Sequence, residues 1–205
     1  MNRKDTDVRA AEPGELRARL IDEAGRILET QGLEAITLRA VAAAAGVSHM
    51  APYRHFADKD SLLAAVAERG FRALSADMQA AAGAERDMPA RLRAFGSAYL
   101  GFARRRPALY RLMFGPVLAG KPQSPAFAQA GGEAFAYCAD AVAAILRQRG
   151  DVSETEPQAL AIATWSLVHG LAMLLIDGRL ALPEGAHAQE ALIGQVLALH
   201  GKTFR

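Results

Sequence analysis

The sequence predicts an all-α fold of about nine helices, and two observations support this class. Apolar residues recur every three or four positions through most of the 205 residues, as Leu20, Ala24 and Ile27 do near the N-terminus, and this is the spacing of one helix face. Sustained alternation of apolar and polar residues is absent from the sequence, and β-branched residues are sparse beside a large excess of alanine. Both features disfavour β-strands.

The predicted helices follow one another with short interruptions. Thr37, Ser48 and Asp58 have the side chains that N-caps need, and Pro107 is suited to the first position of a helix. With the apolar spacing, these residues predict helices over residues 15–32, 37–46, 48–56, 58–78, 92–102, a short stretch from 107, 126–149, 157–180 and 187–201.

The chain is predicted to have three parts. Residues 1–14 form a flexible N-terminal arm, residues 15–80 a small helical head, and residues 85–205 a larger helical body. The head and body are separated by the polar, glycine-containing stretch around residues 80–90.

Charge and composition limit the function classes without selecting one. The net charge is only +2, and the first sixty residues have nine basic and ten acidic side chains, so charge alone gives no support for nucleic-acid binding. The single cysteine, Cys138, excludes an intramolecular disulfide and favours a reducing compartment. The N-terminus has no signal-peptide pattern, and the apolar stretch 161–176 is shorter than a membrane span needs. We therefore expect a cytoplasmic protein with no membrane partner.

Residues 37–62 have the pattern of a helix-turn-helix. Gly46 permits the positive φ of a tight turn, and Ser48 can cap the incoming helix. Val41, Ala42 and Phe56 can close a small apolar wedge between the helices.

This packing would leave one side of the 48–56 helix facing outward, where polar side chains can reach base edges and phosphates. A plain corner between two helices, with Tyr53 and Phe56 in the core, is the alternative. The predicted DNA-contacting residues are Thr37, Arg39, Ser48, His49, Met50, Ala51, Tyr53, Arg54, His55 and Lys59.

Residues 15–75 resemble the DNA-binding region of the tetracycline-repressor (TetR) family. The matching segments are TLRAVAAAAGVS, YRHF and the Lys59 to Leu63 start of the fourth helix. The resemblance implies a homodimer that binds a palindromic DNA operator and is released by a small-molecule effector. Pro52 departs from the family pattern, which often has an aliphatic residue there, and it makes the assignment of individual base contacts less secure.

The body is rich in aromatic and methionine side chains at helical spacing. Such residues either pack the core or line a cavity between helices for an apolar ligand, and the sequence leaves both interpretations open. The predicted ligand-binding residues are Phe95, Tyr99, Phe102, Tyr110, Met113, Phe114, Phe135, Cys138, Trp165, His169 and Met173.

The segment from Trp165 to Gly170 resembles the Trp-His-Gly (WHG) body domain of a TetR subgroup, and LYRLMF at 109–114 resembles its partner segment. Gly170 lies within a predicted helix, which suggests a close approach of another helix there. His169 has no second histidine or cysteine at ligand spacing, so we expect no metal site and no cofactor.

Two apolar stripes predict the dimer surface on the last two long helices. They can form a four-helix interface between subunits, and packing within one chain is the alternative. The stripe residues are Leu167, Leu171, Leu174, Leu192, Val196 and Leu199.

The function predicted from these features is that of a sequence-specific transcriptional regulator, most simply a repressor. A helical enzyme is disfavoured, because no nucleophile elbow, phosphate loop or metal-binding helix motif is present. A helical interaction protein with an inactive head is a second possibility, and a transcriptional activator is a third. Arg3, Lys4 and Arg9 could bring the arm into the minor groove, with a disordered tail as the alternative.

Overall fold

The computed structural model describes residues 13–121, 124–148 and 156–202, and within these ranges the regular structure is entirely helical. The predictions for the arm fall mainly on residues 1–12, which lie outside the described part. The eight α-helices are α1 (Pro13–Gln31), α2 (Leu38–Ala44), α3 (Lys59–Gly83), α4 (Met88–Arg105), α5 (Pro107–Phe114), α6 (Pro125–Gln148), α7 (Glu156–Ile176) and α8 (Ala186–Gly201).

Two short 3₁₀ turns, Leu33–Ala35 and Pro52–Arg54, complete the described helical structure. The second replaces the α-helix that we predicted over residues 48–56, and that prediction is wrong in helix type. In an α-helix capped by Ser48, residue 52 would give the first backbone N–H to the Ser48 carbonyl. Proline has no N–H to give. Instead the Ala51 N–H reaches the Ser48 carbonyl at 2.9 Å and the Phe56 N–H reaches the Pro52 carbonyl at 2.9 Å.

The chain forms two compact units, one ending at Val66 and the other beginning at Ala67. The division falls within α3, which is one unbroken helix across it. The division by role into residues 15–80 and 85–205 stays a prediction.

The N-terminal unit is built around α1, and two of its three predicted N-caps, Thr37 and Asp58, are found, whereas Ser48 caps no helix. The Thr37 side chain accepts the Ala40 N–H at 3.0 Å at the start of α2. Asp58 accepts the Ser61 N–H at 2.7 Å, while the Asp58 N–H donates back to the Ser61 hydroxyl at 3.1 Å. The core of the unit is apolar, and its fully buried side chains include Leu20, Ile36, Val41, Leu62 and Leu63.

The C-terminal unit is organised by α4, which contacts α5, α6, α7 and α8. Close approach of α8 requires glycine at position 96, because a Cβ there would lie 2.9 Å from Leu197 Cδ2. The close approach that we expected at Gly170 is not found in the described chain, since a Cβ there would meet no atom within 4 Å. Gly96 on α4, where Leu197 of α8 approaches, is therefore a glycine that permits close helix packing in this unit.

Helix α7 ends at Ile176, four residues before the predicted end, but its apolar stretch is longer than the predicted 161–176. Its segment Pro157–Ile176 has the length and composition to cross a membrane, and 22% of that window is buried within the chain. One such helix is weak evidence for a membrane span, because helices of soluble proteins pass the same test.

Candidate nucleic-acid interface and ligand site

We call residues 48–56 the recognition segment, because it holds most of the predicted DNA-contacting side chains. Gly46, at φ +66°, makes the turn that precedes it. Pro52 and Phe56 are buried and anchor the segment, and the Arg17 guanidinium lies 5.4 Å from the centre of the Phe56 ring. The anchored side fixes which side chains are left in solvent.

The outward side of the recognition segment is exposed as predicted. Met50 and Tyr53 are 57% and 53% exposed, although both are large side chains that a core would normally bury. The interpretation in which Tyr53 is a core aromatic is therefore wrong. The remaining predicted contacts divide into exposed Thr37, Arg39, Ser48, His49 and Arg54, and partly buried Ala51, His55 and Lys59.

Lys59 has a structural contact that the sequence did not reveal. Its Nζ donates to the Leu33 carbonyl at 3.1 Å and so ties the first turn of α3 to the turn after α1. An ammonium group has three N–H donors, so this contact leaves two for a phosphate. Thr37 is similar: its oxygen accepts the Ala40 N–H, and its own hydroxyl proton can still be donated.

In the body, three of the predicted ligand-site residues form one hydrogen-bonded group. The hydroxyls of Tyr99 and Tyr110 are 2.8 Å apart, and His169 Nδ1 lies 2.7 Å from the Tyr110 hydroxyl and 3.1 Å from that of Tyr99. These residues come from α4, α5 and α7. Buried polar groups need such partners, so this triad joins the three helices.

Phe114 is the centre of the aromatic contacts around the triad. Its ring lies 4.8 Å from that of Tyr110, 4.9 Å from that of His169 and 6.1 Å from that of Trp165, measured between centroids. The Phe135 ring extends the group, 5.3 Å from Trp165. We call these six side chains the aromatic cluster: Tyr99, Tyr110, Phe114, Phe135, Trp165 and His169.

Burial holds the polar members of the body interior in their neutral forms. It raises the pKa of both tyrosines, with the neighbouring Tyr110 adding to the effect on Tyr99. It raises the pKa of the Cys138 thiol to about 12 and lowers the pKa of His169. The interior of the body therefore disfavours charge.

The structure places the other predicted ligand residues outside the cluster's hydrogen-bonded centre. Phe95 stacks on Tyr137, 5.9 Å between ring centroids, in a cavity of about 220 Å³ formed by α3, α4 and α6. Phe102 is buried beneath the Arg106 guanidinium, and Met113 packs against Gly70. Cys138 is fully buried and Met173 partly buried.

Sequence reasoning missed two aromatic residues of this interior. Phe71 on α3 lies 5.0 Å from the Phe114 ring and 5.7 Å from the Phe127 ring, and Tyr137 is the stacking partner of Phe95. Phe71 is three residues before Leu74, so the helical spacing of α3 could have identified it as buried. Nothing local marks Tyr137.

The predicted dimer residues lie on outward parts of α7 and α8. Leu174, Leu192 and Leu199 are exposed in the single chain, whereas Leu167, Leu171 and Val196 are partly buried. Leu171, Leu192 and Val196 also line an apolar groove of about 190 Å³ between the two helices. Ile162, which the sequence analysis did not include, is 50% exposed on α7.

Comparisons with known proteins match both units. Residues 20–66 match the family model described as bacterial regulatory proteins, tetR family, and residues 92–197 match the tetracyclin repressor-like C-terminal domain. A protein with unknown function from Rhodococcus sp. RHA1 is 30% identical, with 96% of each chain covered and a TM-score of 0.77.

Of two further relatives, one has a lower sequence identity and the other matches a shorter part of the chain. A TetR family transcription regulator from Marinobacter aquaeolei VT8 has a TM-score of 0.67 at 18% identity, over 91% of this chain and 94% of its own, and shows likeness of fold. The nucleoid occlusion factor SlmA of Photobacterium profundum is 35% identical over 103 residues, 50% of this chain and 53% of its own length. The chain thus spans about half of that curated relative.

The lowered pKa of His169 predicts a pH dependence of stability. Between the ordinary value of 6.5 and the lower folded value, the unfolded chain binds more protons than the folded one, so the free energy of unfolding falls as the pH falls. We expect His169→Gln to reduce the fall of the free energy of unfolding between pH 7.5 and 5, as measured by urea titrations. His187→Gln, at an exposed histidine, is the control and should leave it unchanged. If the free energy of unfolding falls equally in the two variants, the prediction is wrong.

Proposed function

The chain belongs to the TetR family of DNA-binding transcriptional regulators, and on this premise we propose that it is a dimeric repressor, released from a palindromic operator when a small, mostly apolar effector binds the body. The observation that carries the proposal is the exposed outward side of the recognition segment, where Met50 and Tyr53 stand in solvent beside His49 and Arg54. A cytoplasmic location accords with the soluble character of the family.

The contacts proposed for the head follow from the chemistry of each side chain. Met50 and His49, near the start of the recognition segment, suit base edges, where apolar contact with thymine methyls and hydrogen bonds give specificity. The Tyr53 hydroxyl and the Arg54 guanidinium suit phosphates, which position the protein without selecting sequence. The two remaining N–H donors of Lys59 suit a phosphate beside the first turn of α3.

The proposed dimer surface is the outward face of α7 and α8. Leu199 is 62% exposed and Leu174 is 43% exposed in the single chain, and exposed apolar side chains that cluster on a surface often mark a protein interface. A second copy packed there would bury them, and Gly170, where an added Cβ would meet no atom of the described residues within 4 Å, would allow a close crossing. Such a dimer presents two recognition segments, and a palindrome is read when they are about 34–36 Å apart.

The proposed effector site is the aromatic cluster, and α5 gives it a route to the head. One side of α5 supplies Tyr110 and Phe114 to the cluster. Another side presses Met113 and Leu109 against α3, where a Cβ at Gly70 would lie 2.6 Å from Met113 Sδ. Because α3 continues unbroken to Lys59, a shift of α5 is passed to the helix that carries the head. An effector that favours the shifted state weakens DNA binding by its difference in affinity for the two states.

The test of the proposed function is selection of bound duplexes from a random DNA library by the purified protein at a fixed salt concentration. We expect a palindrome, because a symmetric dimer reads two equivalent half-sites. A folded, dimeric protein that selects no sequence would contradict the proposal and favour an inactive head. An operator that overlaps the promoter would support repression, whereas one upstream of it would favour activation.

Variants of the recognition segment should separate charged from neutral phosphate contacts on the selected duplex. Arg54→Ala should weaken binding and reduce the slope of log affinity against log salt by about one, because one counterion-releasing contact is lost. Tyr53→Phe should weaken binding while leaving the slope unchanged, since its hydroxyl is uncharged. Arg93→Ala, at an exposed arginine of α4, is the matched control. A slope unaltered by Arg54→Ala would remove Arg54 from the phosphate contacts.

Charged substitutions on the outward face of α7 and α8 should dissociate the dimer. In Leu192→Glu with Leu199→Glu, like charges would be buried without partners between subunits, while both positions are exposed in the single chain. We expect a folded monomer in sedimentation velocity and loss of palindrome binding. Ala128→Glu, at an exposed position of α6, should stay dimeric. If the double variant sediments as a dimer, the proposed interface is wrong.

The contact between α5 and α3 predicts a coupling variant. Gly70→Ala brings a methyl group to within 2.6 Å of the present Met113 sulfur, so either the Met113 side chain or α5 itself must shift. We expect operator affinity without effector to fall about tenfold, within the usual range of allosteric coupling. Adding Met113→Ala provides space and should restore most of the affinity in a double-mutant cycle. Wild-type affinity for Gly70→Ala would show that this contact does not couple the site to the head.

A further inference from the structure

The aromatic cluster has a closed centre and a partly exposed periphery, formed by Phe114, Phe135 and two side chains of α7. Tyr99 and Tyr110 are fully buried, whereas Trp165 and His169 are partly buried. Trp165 and His169 are four residues apart and therefore share one face of α7. These two are the members of the periphery whose side chains have polar atoms, so they are the ones that can give a ligand a hydrogen bond.

The protons of the triad can be assigned from its geometry. Each neutral phenol has one proton: the Tyr110 hydroxyl donates to that of Tyr99 at 2.8 Å, which leaves the Tyr99 proton for His169 Nδ1, at 3.1 Å. Nδ1 is therefore an acceptor. A neutral imidazole with an accepting Nδ1 has its proton on Nε2. His169 thus has an N–H directed away from the tyrosines.

Trp165 offers a second donor of the same kind, since an indole nitrogen can only donate. Neither Trp165 Nε1 nor His169 Nε2 has a hydrogen-bond partner in the part of the chain that the structure describes. The α7 part of the cluster therefore has two N–H donors one helical turn apart, Trp165 Nε1 and His169 Nε2. A ligand that forms hydrogen bonds with them must supply an acceptor.

A charged ligand fits this surrounding poorly. The six side chains of the cluster are uncharged at neutral pH, because burial favours the neutral forms of its tyrosines and of His169. A carboxylate would lose its hydration without gaining a cation, and it would face the electronegative surfaces of aromatic rings. An ammonium group would be attracted by the ring faces, but it would lose its hydration beside two N–H donors, with no carboxylate in the cluster to pair with it.

We propose that the effector is an uncharged, mostly apolar molecule whose hydrogen-bond-accepting oxygen, as in a ketone or an ester, binds the N–H groups of Trp165 and His169. This inference rests on the proposed function, because it takes the aromatic cluster as the effector site. It adds the chemical class of the molecule and the two atoms that recognise it.

Trp165 is the single tryptophan of the chain, so its fluorescence reports on the cluster directly. The probes are four compounds with one cyclohexane body: cyclohexyl methyl ketone, ethylcyclohexane, cyclohexanecarboxylate and cyclohexylmethylammonium. The ketone absorbs weakly where tryptophan is excited, so each titration is corrected with free tryptophan at the same probe concentration. We expect the ketone to bind about tenfold more tightly than ethylcyclohexane, because it adds a hydrogen bond. The two ions should bind at least about tenfold more weakly than the ketone.

Two variants of His169 test the role of its N–H group. His169→Leu removes one of the two donors and should reduce the preference for the ketone over ethylcyclohexane to about threefold, because the Trp165 N–H remains. His169→Gln keeps a donor and an acceptor in one side chain, and should restore part of the preference. Thermal melts by circular dichroism identify any variant that fails to fold, and an unchanged preference in folded His169→Leu overturns the role of His169.

The outcomes separate this inference from the proposed function. If the carboxylate or the ammonium ion binds as tightly as the ketone, the uncharged class is wrong while effector release can still hold. Absence of any fluorescence change up to the solubility limit of all four probes overturns the inference and removes the cluster as the effector site. If the ketone binds with the expected preference but leaves operator binding unchanged in fluorescence anisotropy, the proposed release from the operator is wrong. The inference about ligand binding then stands.

Discussion

The rest of the body depends on the burial of two phenol hydroxyls. Tyr99 and Tyr110 are fully buried, and a buried hydroxyl without a partner is costly, so both must meet each other and His169. That requirement fixes the rotation of three helices at once. Turning α7 by one residue, about 100°, would remove His169 from the phenols. It would also carry the exposed leucines of α7 away from the face that we assign to a second subunit.

The head depends on a different constraint, the missing N–H of Pro52. Local chemistry made most of the head predictable, because caps such as Thr37 and Asp58 act within three residues of themselves. Pro52 was identified as unusual, but its effect was underestimated. A single absent hydrogen bond at the start of a nine-residue helix removes much of what would hold it, and the segment forms a 3₁₀ turn instead.

The features that the sequence could not supply are those that join distant residues. Tyr99 and His169 were both identified as candidate ligand residues, yet their mutual contact spans 70 positions, and no local spacing encodes it. The glycines within helices show that local sequence patterns do not determine close packing either. Gly170 and Gly96 both lie within helices, and only packing distinguishes the one that meets Leu197 from the one that meets nothing. Which aromatic residues would gather around Phe114 was equally undetermined.

The burial of Cys138 makes the native chain a suitable background for site-directed labelling. Burial raises the pKa of its thiol to about 12 and leaves it no exposed surface, so the thiol stays protonated at pH 7, whereas the thiolate is the reactive form. Maleimide or nitroxide reagents would therefore modify a cysteine introduced on the exposed surface and leave Cys138 intact. A spin label at position 39, at the start of α2, could then be used to measure distances between subunits without removing the native residue.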